Sequence, residues 1–380
     1  MANRAFQGRN GITIRELIVW FEYFIIGFST IIMVTSFGDD TTVLQTAFLL
    51  TIVGSAMALT ISKFELSQVL LLLYFFVLGL VNYHCSGSVF FIWMTLLMII
   101  GRPLSADYVV KTIGGGIVFA VVIKLLASFF ILHSNAVIQM NDGRIRETLG
   151  FSHPNLAGNW LMWAILFLIY IFVLNTKVFT KFLSISLCGI FLFLLIVKTQ
   201  SRTAEIGVII GVLTFFVWTL CTSKKVRQIF ADTLVLVSPF VYFMSALSIS
   251  IPVVSGILSN SSSGRDTFNR LFYQLYGFPL MGEKILIVSN SKQIIGQSYQ
   301  FLDSGWGLLT YSTGLVGVAT IIASLLFALR RASNRFTLIV IVTVGVYMIS
   351  SGGFHNNIFL AFPIWTVFSE ALYVYELDIQ

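Results

Sequence analysis

A chain of 380 residues of which 57% are hydrophobic and only 10% are charged lacks the polar surface of a water-soluble protein, since soluble domains carry roughly 25% charged residues. The formal net charge of +7 does not indicate a nucleic-acid partner, because the basic residues lie in short clusters between apolar segments, the arrangement that sets membrane topology. Composition alone therefore predicts a membrane protein.

Twelve apolar segments are candidate membrane spans, because crossing the hydrocarbon core takes about 20 apolar residues of helix. In chain order they cover residues 17–36, 42–61, 67–82, 88–101, 108–132, 156–174, 182–198, 204–221, 231–250, 304–328, 336–351 and 358–373. The sequence therefore predicts an all-α, polytopic membrane protein in which residues 1–380 form a single membrane domain. The run Gly114-Gly115-Gly116 in the fifth segment predicts close packing against another helix, since small residues let two backbones approach.

The positions of lysine and arginine predict the orientation of these spans. With the N-terminus inside, the inner connections carry most of the basic residues and the short outer ones almost none, as the positive-inside rule requires. The inner residues are Lys63, Arg102, Lys177, Lys181, Lys224, Lys225, Arg227, Arg330, Arg331 and Arg335. We therefore predict a plasma-membrane protein with both termini in the cytoplasm.

Polar chemistry is concentrated on the predicted outer face. Two long outer loops, residues 133–155 and 251–303, contain basic residues that topology does not require, and all four histidines fall outside. The residues concerned are Arg144, Arg146, Arg265, Arg270, Lys284, Lys292, His84, His133, His153 and His355. Lys124, in the fifth span, either extends to the headgroups or lines a polar groove. We expect the functional site on the outer face.

The sequence Ser201-Arg202-Thr203 lies in a very short outer turn between two spans. An arginine so close to hydrocarbon is costly unless it is paired or functional. Its guanidinium and the N–H groups of the following helix, which Ser201 or Thr203 would cap, suit a phosphate. The alternatives are contact with lipid headgroups or an ion pair with Glu205.

A second polar cluster precedes the sixth span. Ser152 or His153 can cap that helix, and Pro154 fits its first position. A role at the start of the helix does not account for His153 together with Asn155, and this combination predicts hydrogen bonds to sugar hydroxyls.

The large loop and the last outer turn add further candidates. Arg265 and Arg270 are typical of a second phosphate-binding group, although Arg265 could instead pair with Asp266 at the surface. Asp303 either caps the tenth span or acts as a general base. The last outer turn contains His355 and Asn356. No pattern indicates an ATP site, a zinc site or a serine hydrolase, so we expect no metal or other cofactor.

At these residues the chain resembles the O-antigen polymerase and O-antigen ligase family of bacterial membrane proteins. The matching pieces are His153-Pro154-Asn155-Leu156-Ala157, Ser201-Arg202-Thr203, Ser263-Gly264-Arg265, Gly277-Phe-Pro-Leu-Met-Gly282, Asp303-Ser304-Gly305-Trp306 and Gly314-Leu-Val-Gly317. They cover about residues 140–330. The resemblance implies an integral-membrane glycosyltransferase of the GT-C type, with a donor glycan carried on undecaprenyl pyrophosphate and no nucleotide sugar.

The resemblance also implies roles for individual residues. Arginines of the family's Ser-Arg turn and large loop are assigned to pyrophosphate binding, which gives this role to Arg202 and Arg265. The remaining candidates for substrate binding are Arg146, Arg270, Asn155 and Asn356, and those for the base that accepts the acceptor proton are Asp303, His153 and His355. The ligase branch usually carries a histidine where this chain has Asp303, which favours the polymerase branch.

The predicted activity is polymerisation of lipid-linked repeat units into a surface polysaccharide such as capsule, exopolysaccharide or O-antigen. The partners expected are the lipid-linked oligosaccharide, the membrane, a flippase and a chain-length regulator. One alternative is a ligase that transfers the glycan to a final acceptor. The other is a transporter or flippase, which twelve spans would suit, but transporters often contain two related halves and none is visible here.

Overall fold

The structure, a computed structural model, describes residues 48–49, 51–56, 59, 64–101, 106–131, 135–139, 145–151, 153–174, 176–221, 223–247, 265–285, 302 and 304–331. The helices are α1 (Leu66–Ser86), α2 (Phe90–Gly101), α3 (Ala106–Leu126), α4 (Pro154–Leu174), α5 (Val178–Phe193), α6 (Arg202–Leu220), α7 (Lys224–Leu247), α8 (Arg265–Tyr276) and α9 (Gly305–Arg331). Short π-helical turns extend α3 through Ala127–Ile131 and α5 through Leu194–Thr199. Strands β1 (Val137–Gln139) and β2 (Ile145–Glu147) form a small hairpin.

The prediction of a helical membrane protein is confirmed by five described helices that are long and apolar enough to cross a membrane. These are Leu66–Ser86, Pro154–Val173, Val178–Thr199, Lys225–Leu247 and Gly305–Phe327, and shorter apolar helices cover Phe90–Ile99, Gly114–Phe130 and Ala204–Val217. Most of their limits lie within a few residues of the predicted ones. Segments 17–36, 336–351 and 358–373 lie outside the described residues and 42–61 lies mostly outside, so the count of twelve and the glycosyltransferase architecture stay predictions.

Helix α4 is the centre of the described bundle. It packs against α3, α5 and α6, and 72% of its most apolar stretch is buried. A helix that is apolar on every side is stable only where protein or lipid surrounds it, and here Trp160, Trp163 and Phe167 are all buried. Helix α4 therefore positions the ends of its three neighbours.

The close packing predicted for the glycine run is confirmed at Gly114. A Cβ atom placed there would overlap the ring of Phe167 on α4, whereas one at Gly115 would meet nothing. The contact between α3 and α4 at Phe167 therefore depends on the absence of a side chain at Gly114.

We expect Gly114→Ala to destabilise the protein by about 1–3 kcal/mol, because Phe167 is buried and has to shift. Gly115→Ala is the matched control, and should be neutral or slightly stabilising because alanine favours helix. Thermal unfolding of both variants in the same detergent measures the difference. Equal melting temperatures would show that the α3–α4 contact is not tight.

Helices α1 and α9 run antiparallel. The hydroxyls of Tyr74 and Thr320 are 2.7 Å apart near the middle of both helices, and Ser86 Oγ, at the end of α1, donates to the Ser312 carbonyl, 2.6 Å away. On its other side α9 packs against α7, which also contacts α8. The two groups of helices share one continuous apolar core.

Helix α9 is interrupted at Gly314, where φ is 74° and ψ is 175°. The segment 277–283 lies against the break, and its carbonyls replace helical acceptors. Leu315 N donates to Pro279 O over 2.9 Å, and Val316 N donates to Leu280 O over 3.1 Å. These contacts matter because unpaired backbone groups inside a membrane are costly.

Side chains of α1 complete the same junction. Asn82 is fully buried, and its Nδ2 donates to the carbonyls of Met281 (2.7 Å) and Thr313 (3.0 Å). The loop, the break and α1 are thus joined by one amide group.

The hairpin is the one departure from helix among the described elements, and sequence reasoning treated this region only as an outer loop. Strands β1 and β2 pair antiparallel, with Ile138 opposite Arg146 and Val137 opposite Glu147. The hairpin matters for function because β2 carries the two charged residues Arg146 and Glu147.

Candidate functional site

Four helix ends and the hairpin meet at one end of the bundle. A Cβ on Gly150, just after the hairpin, would lie 2.5 Å from Ser128 Oγ at the end of α3, and one on Gly158 of α4 would lie 2.7 Å from Ser201 Oγ before α6. Arg146 contacts both the end of α5 and the start of α4. We call residues 124–128, 145–151, 153–158 and 198–202 together the hairpin end.

Arg146 lies at the centre of the hairpin end. Only 4% of it is exposed. Its Nε donates to the Thr199 carbonyl over 2.7 Å, and its terminal nitrogen donates to Asn155 Oδ1 over 2.5 Å. The structure therefore brings together Arg146 and Asn155, two residues predicted to bind substrate, and binds them to each other.

Glu147 forms a second link to α5. Its carboxylate accepts hydrogen bonds from Lys198 Nζ and from Asn135 Nδ2, each over 2.7 Å. Burial alone would raise the pKa of this carboxyl, but the hydrogen bonds from Lys198 and Asn135, together with the lysine charge, hold its pKa below the ordinary value. Glu147 is therefore ionised at neutral pH.

His153 caps helix α4, and Pro154 occupies the first helical position as predicted. Nδ1 of His153 accepts a hydrogen bond from the Asn155 N–H over 3.1 Å. Of the two residues predicted as possible caps, His153 is therefore the one that the structure shows in this role, and hydrogen bonding of His153 and Asn155 to sugar hydroxyls stays a prediction. The residue is exposed, but neighbouring protein atoms partly desolvate the ring, and this desolvation together with the Arg146 charge lowers the pKa of His153, which keeps Nδ1 free to accept.

Acidification is expected to weaken this end of the protein. Because the folded pKa of His153 lies below its ordinary value of about 6.5, its contribution to stability is complete above about pH 6.5 and is lost as pH falls through the folded pKa. The stabilising contribution of ionised Glu147 is also lost as pH falls, but only below about pH 4, because its folded pKa lies under the ordinary value. The melting temperature of the wild type should fall between about pH 7.5 and 5.5.

The variant His153→Gln isolates the histidine contribution, since its amide oxygen can still accept the capping bond without titrating. We expect this variant to lose less stability over the same pH range. His84→Gln, at an exposed histidine near the end of α1, is the control and should behave as the wild type. If the melting temperatures of all three proteins fell equally with pH, the role given to His153 would be contradicted.

Arg202 is the first residue of α6 and is exposed. Its guanidinium forms no hydrogen bond or ion pair with any described residue, so the alternative pair with Glu205 is not formed. Ser201 stands at the N-cap position but does not cap α6, and its buried hydroxyl has no partner in the described part of the chain. The prediction that Ser201 caps this helix is wrong, and the side chain of Thr203 lies outside the described residues.

Lys124 does not extend to the headgroups. It is 5% exposed, and its Cε would lie 3.2 Å from a Cβ on Gly150. The backbone at Gly150 therefore lies over this lysine, whereas Arg202 stays at the surface.

The other predicted site residues lie elsewhere. Arg270 is half-buried on α8, beside Asn269, whose Nδ2 donates to Ser245 Oγ of α7 over 3.1 Å. Arg265 begins α8, but its side chain lies outside the described residues, as do Asp303, His355 and Asn356. Ser304 Oγ accepts the N–H of Gly307 over 3.3 Å, so Ser304 caps α9.

Sequence reasoning missed several residues that the structure makes prominent. Glu147 and Lys198 are 51 positions apart, and no local pattern links them. Glu283 follows the Gly277–Gly282 motif, and its N–H donates to the Tyr311 carbonyl over 2.7 Å. Its position directly after a recognised motif was the available signal.

Comparisons with protein-family models, with curated proteins and with solved structures found no match for this chain.

Proposed function

We propose that this protein is an integral-membrane glycosyltransferase that polymerises undecaprenyl-pyrophosphate-linked oligosaccharide repeat units at the outer face of the plasma membrane. The observation that carries the proposal is Arg202, an exposed guanidinium without a described partner at the start of an apolar helix. A cation in this place suits an anionic group at the membrane surface.

The chemistry follows from the charge that develops on the leaving group. As the bond from the anomeric carbon to the pyrophosphate breaks, negative charge accumulates on the phosphate oxygens, and Arg202 with Arg265 stabilises it. The acceptor hydroxyl attacks from the opposite face with inversion. Asp303 accepts its proton, with His153 or His355 as the alternatives.

Described contacts restrict what His153 and Asn155 can do in this scheme. Nδ1 of His153 accepts the capping bond, so the neutral ring carries its proton on Nε2, which can donate to a substrate oxygen. His153 could accept a proton from the acceptor only by giving up this bond. The Oδ1 of Asn155 accepts from Arg146, which leaves its Nδ2 to donate to a sugar hydroxyl. Asp303, Arg265, His355 and Asn356 keep their roles on the resemblance to the polymerase family.

The break in α9 favours a second candidate, a transporter or flippase, because discontinuous helices form the substrate sites of many transporters. Here, however, the N–H groups after the break are occupied by the carbonyls of Pro279 and Leu280. Substrate would have to displace that loop. We therefore place transport second.

Glycan analysis of a deletion strain tests the proposal. The polymerase predicts single repeat units on the lipid carrier in the deletion strain and a ladder of longer chains after complementation. Long chains that stay on the carrier would identify a ligase. Repeat units trapped on the inner leaflet would identify a flippase, and a normal glycan profile would reject all three.

A further inference from the structure

The link between the hairpin and α5 suggests what the buried charges of the hairpin end do. Consecutive residues of β2, Arg146 and Glu147, bind consecutive residues of α5, Thr199 and Lys198. Both bonds end directly before the turn that carries Arg202. The hairpin thus holds the backbone at Thr199, three residues before the exposed arginine.

The hairpin is itself stiffened from within. Asn135 donates to Glu147 and accepts the Leu149 N–H over 2.9 Å. Across the strands, Ala136 N donates to Thr148 Oγ1 over 3.0 Å, and the Thr148 N–H donates back to the Ala136 carbonyl over 2.9 Å. The charged residues therefore project from a backbone that is already fixed on both strands.

The turn is fixed at its other end as well. Gln200 adopts a left-handed conformation with φ 46°, which non-glycine residues seldom hold without support. Ser201 is fully buried against Gly158 of α4. The backbone before Arg202 is therefore held by the hairpin at Thr199 and by α4 at Ser201.

We propose that Arg146 and Glu147 are positioning residues: the hairpin braces the turn 199–201 so that Arg202 faces the pyrophosphate in the geometry that the transition state needs. This inference rests on the proposed function, and it replaces direct substrate binding as the role of Arg146. A buried guanidinium that already donates to Thr199 and Asn155 has little left to offer a ligand.

The kinetic test uses Arg146→Lys in the purified full-length protein, with undecaprenyl-pyrophosphate-linked repeat units from the native strain as substrate. Lysine keeps the charge but cannot make the two-armed contact. Because small misplacement of a group that acts in the transition state lowers turnover, we expect kcat to fall about 10- to 100-fold while KM changes less than about threefold. Glu147→Gln should show the same pattern.

A double-mutant cycle separates positioning from direct binding. In an Arg202→Lys background, Arg146→Lys should cause little further loss, because the group it positions is already impaired. Losses that multiply, or a raised KM with unchanged kcat, would overturn the proposal. Arg227→Lys is the matched control, since Arg227 donates to the Cys221 carbonyl at the other end of α6, and it should leave kcat unchanged.

Hydrogen exchange tests the brace without reference to any activity. Backbone amides of residues 200–206 should exchange faster in Arg146→Lys than in the wild type, while those of α9 should not change. Unchanged exchange in the turn would overturn the brace even in an active enzyme. If the wild type does not polymerise but the turn exchanges faster in the variant, the brace stands and only the polymerase proposal fails.

Discussion

Arg202→Lys should not restore polymerisation in a deletion strain, and Arg202→Ala should abolish it. A guanidinium binds two phosphate oxygens in a fixed planar geometry, whereas an ammonium is a point charge. Removing one preorganised donor to a developing anion costs roughly 100- to 1,000-fold in rate. Because Arg202 is exposed and has no described partner, neither substitution should lower the amount of folded protein.

The measurement is the distribution of glycan lengths in strains that carry each variant at equal membrane levels. Arg227→Lys, at the other end of α6, serves as the control for a lysine substitution and should give the wild-type ladder. A full ladder from Arg202→Lys would show that bidentate binding of phosphate by Arg202 is not required. A full ladder from Arg202→Ala would show that this residue has no part in the mechanism.

Gly314→Ala should have the largest effect on folding. The conformation at Gly314, φ 74° and ψ 175°, is essentially restricted to glycine. A Cβ there would overlap the Leu280 carbonyl of the adjoining loop. Backbone strain and overlap together should cost roughly 3 kcal/mol or more.

The expected result is a strong loss of folded protein on detergent extraction and a lower melting temperature for what remains. Gly282→Ala should be similar, since φ is 93° and a Cβ would lie 2.7 Å from the Ser312 carbonyl. Gly189→Ala in α5, where a Cβ meets nothing, is the control. Normal yield and stability of Gly314→Ala would mean that α9 is continuous in the membrane.

Helix positions were predictable because lipid imposes a simple rule on the sequence. A run of apolar residues long enough to cross the membrane has to be helical, as the backbone finds no other partners there. This is why the predicted 156–174 and the observed Pro154–Leu174 nearly coincide. This rule does not predict where a helix is interrupted, so Gly314 was predicted only as part of a glycine-rich span.

The hairpin end was only partly predictable. The exposed arginine of the Ser-Arg turn stood out because a charge between two spans is unusual. The brace did not, because each strand has three residues, too few for an alternating pattern to be recognised. The pairing of Arg146 with Thr199 depends on how α4 and α5 pack, and that information is distributed over the whole apolar core.

The unequal surroundings of α4 and α5 have a consequence for how the two sequences tolerate substitution. Only 17% of the most apolar stretch of Val178–Thr199 is buried, against 72% for α4. Phe179, Phe182 and Ile185 face outward, where fluid acyl chains adapt to any apolar shape. Random substitution of α5 should therefore accept one apolar residue for another freely, while α4 should reject changes of size at most of its positions, with exposed Phe172 and Val173 as exceptions.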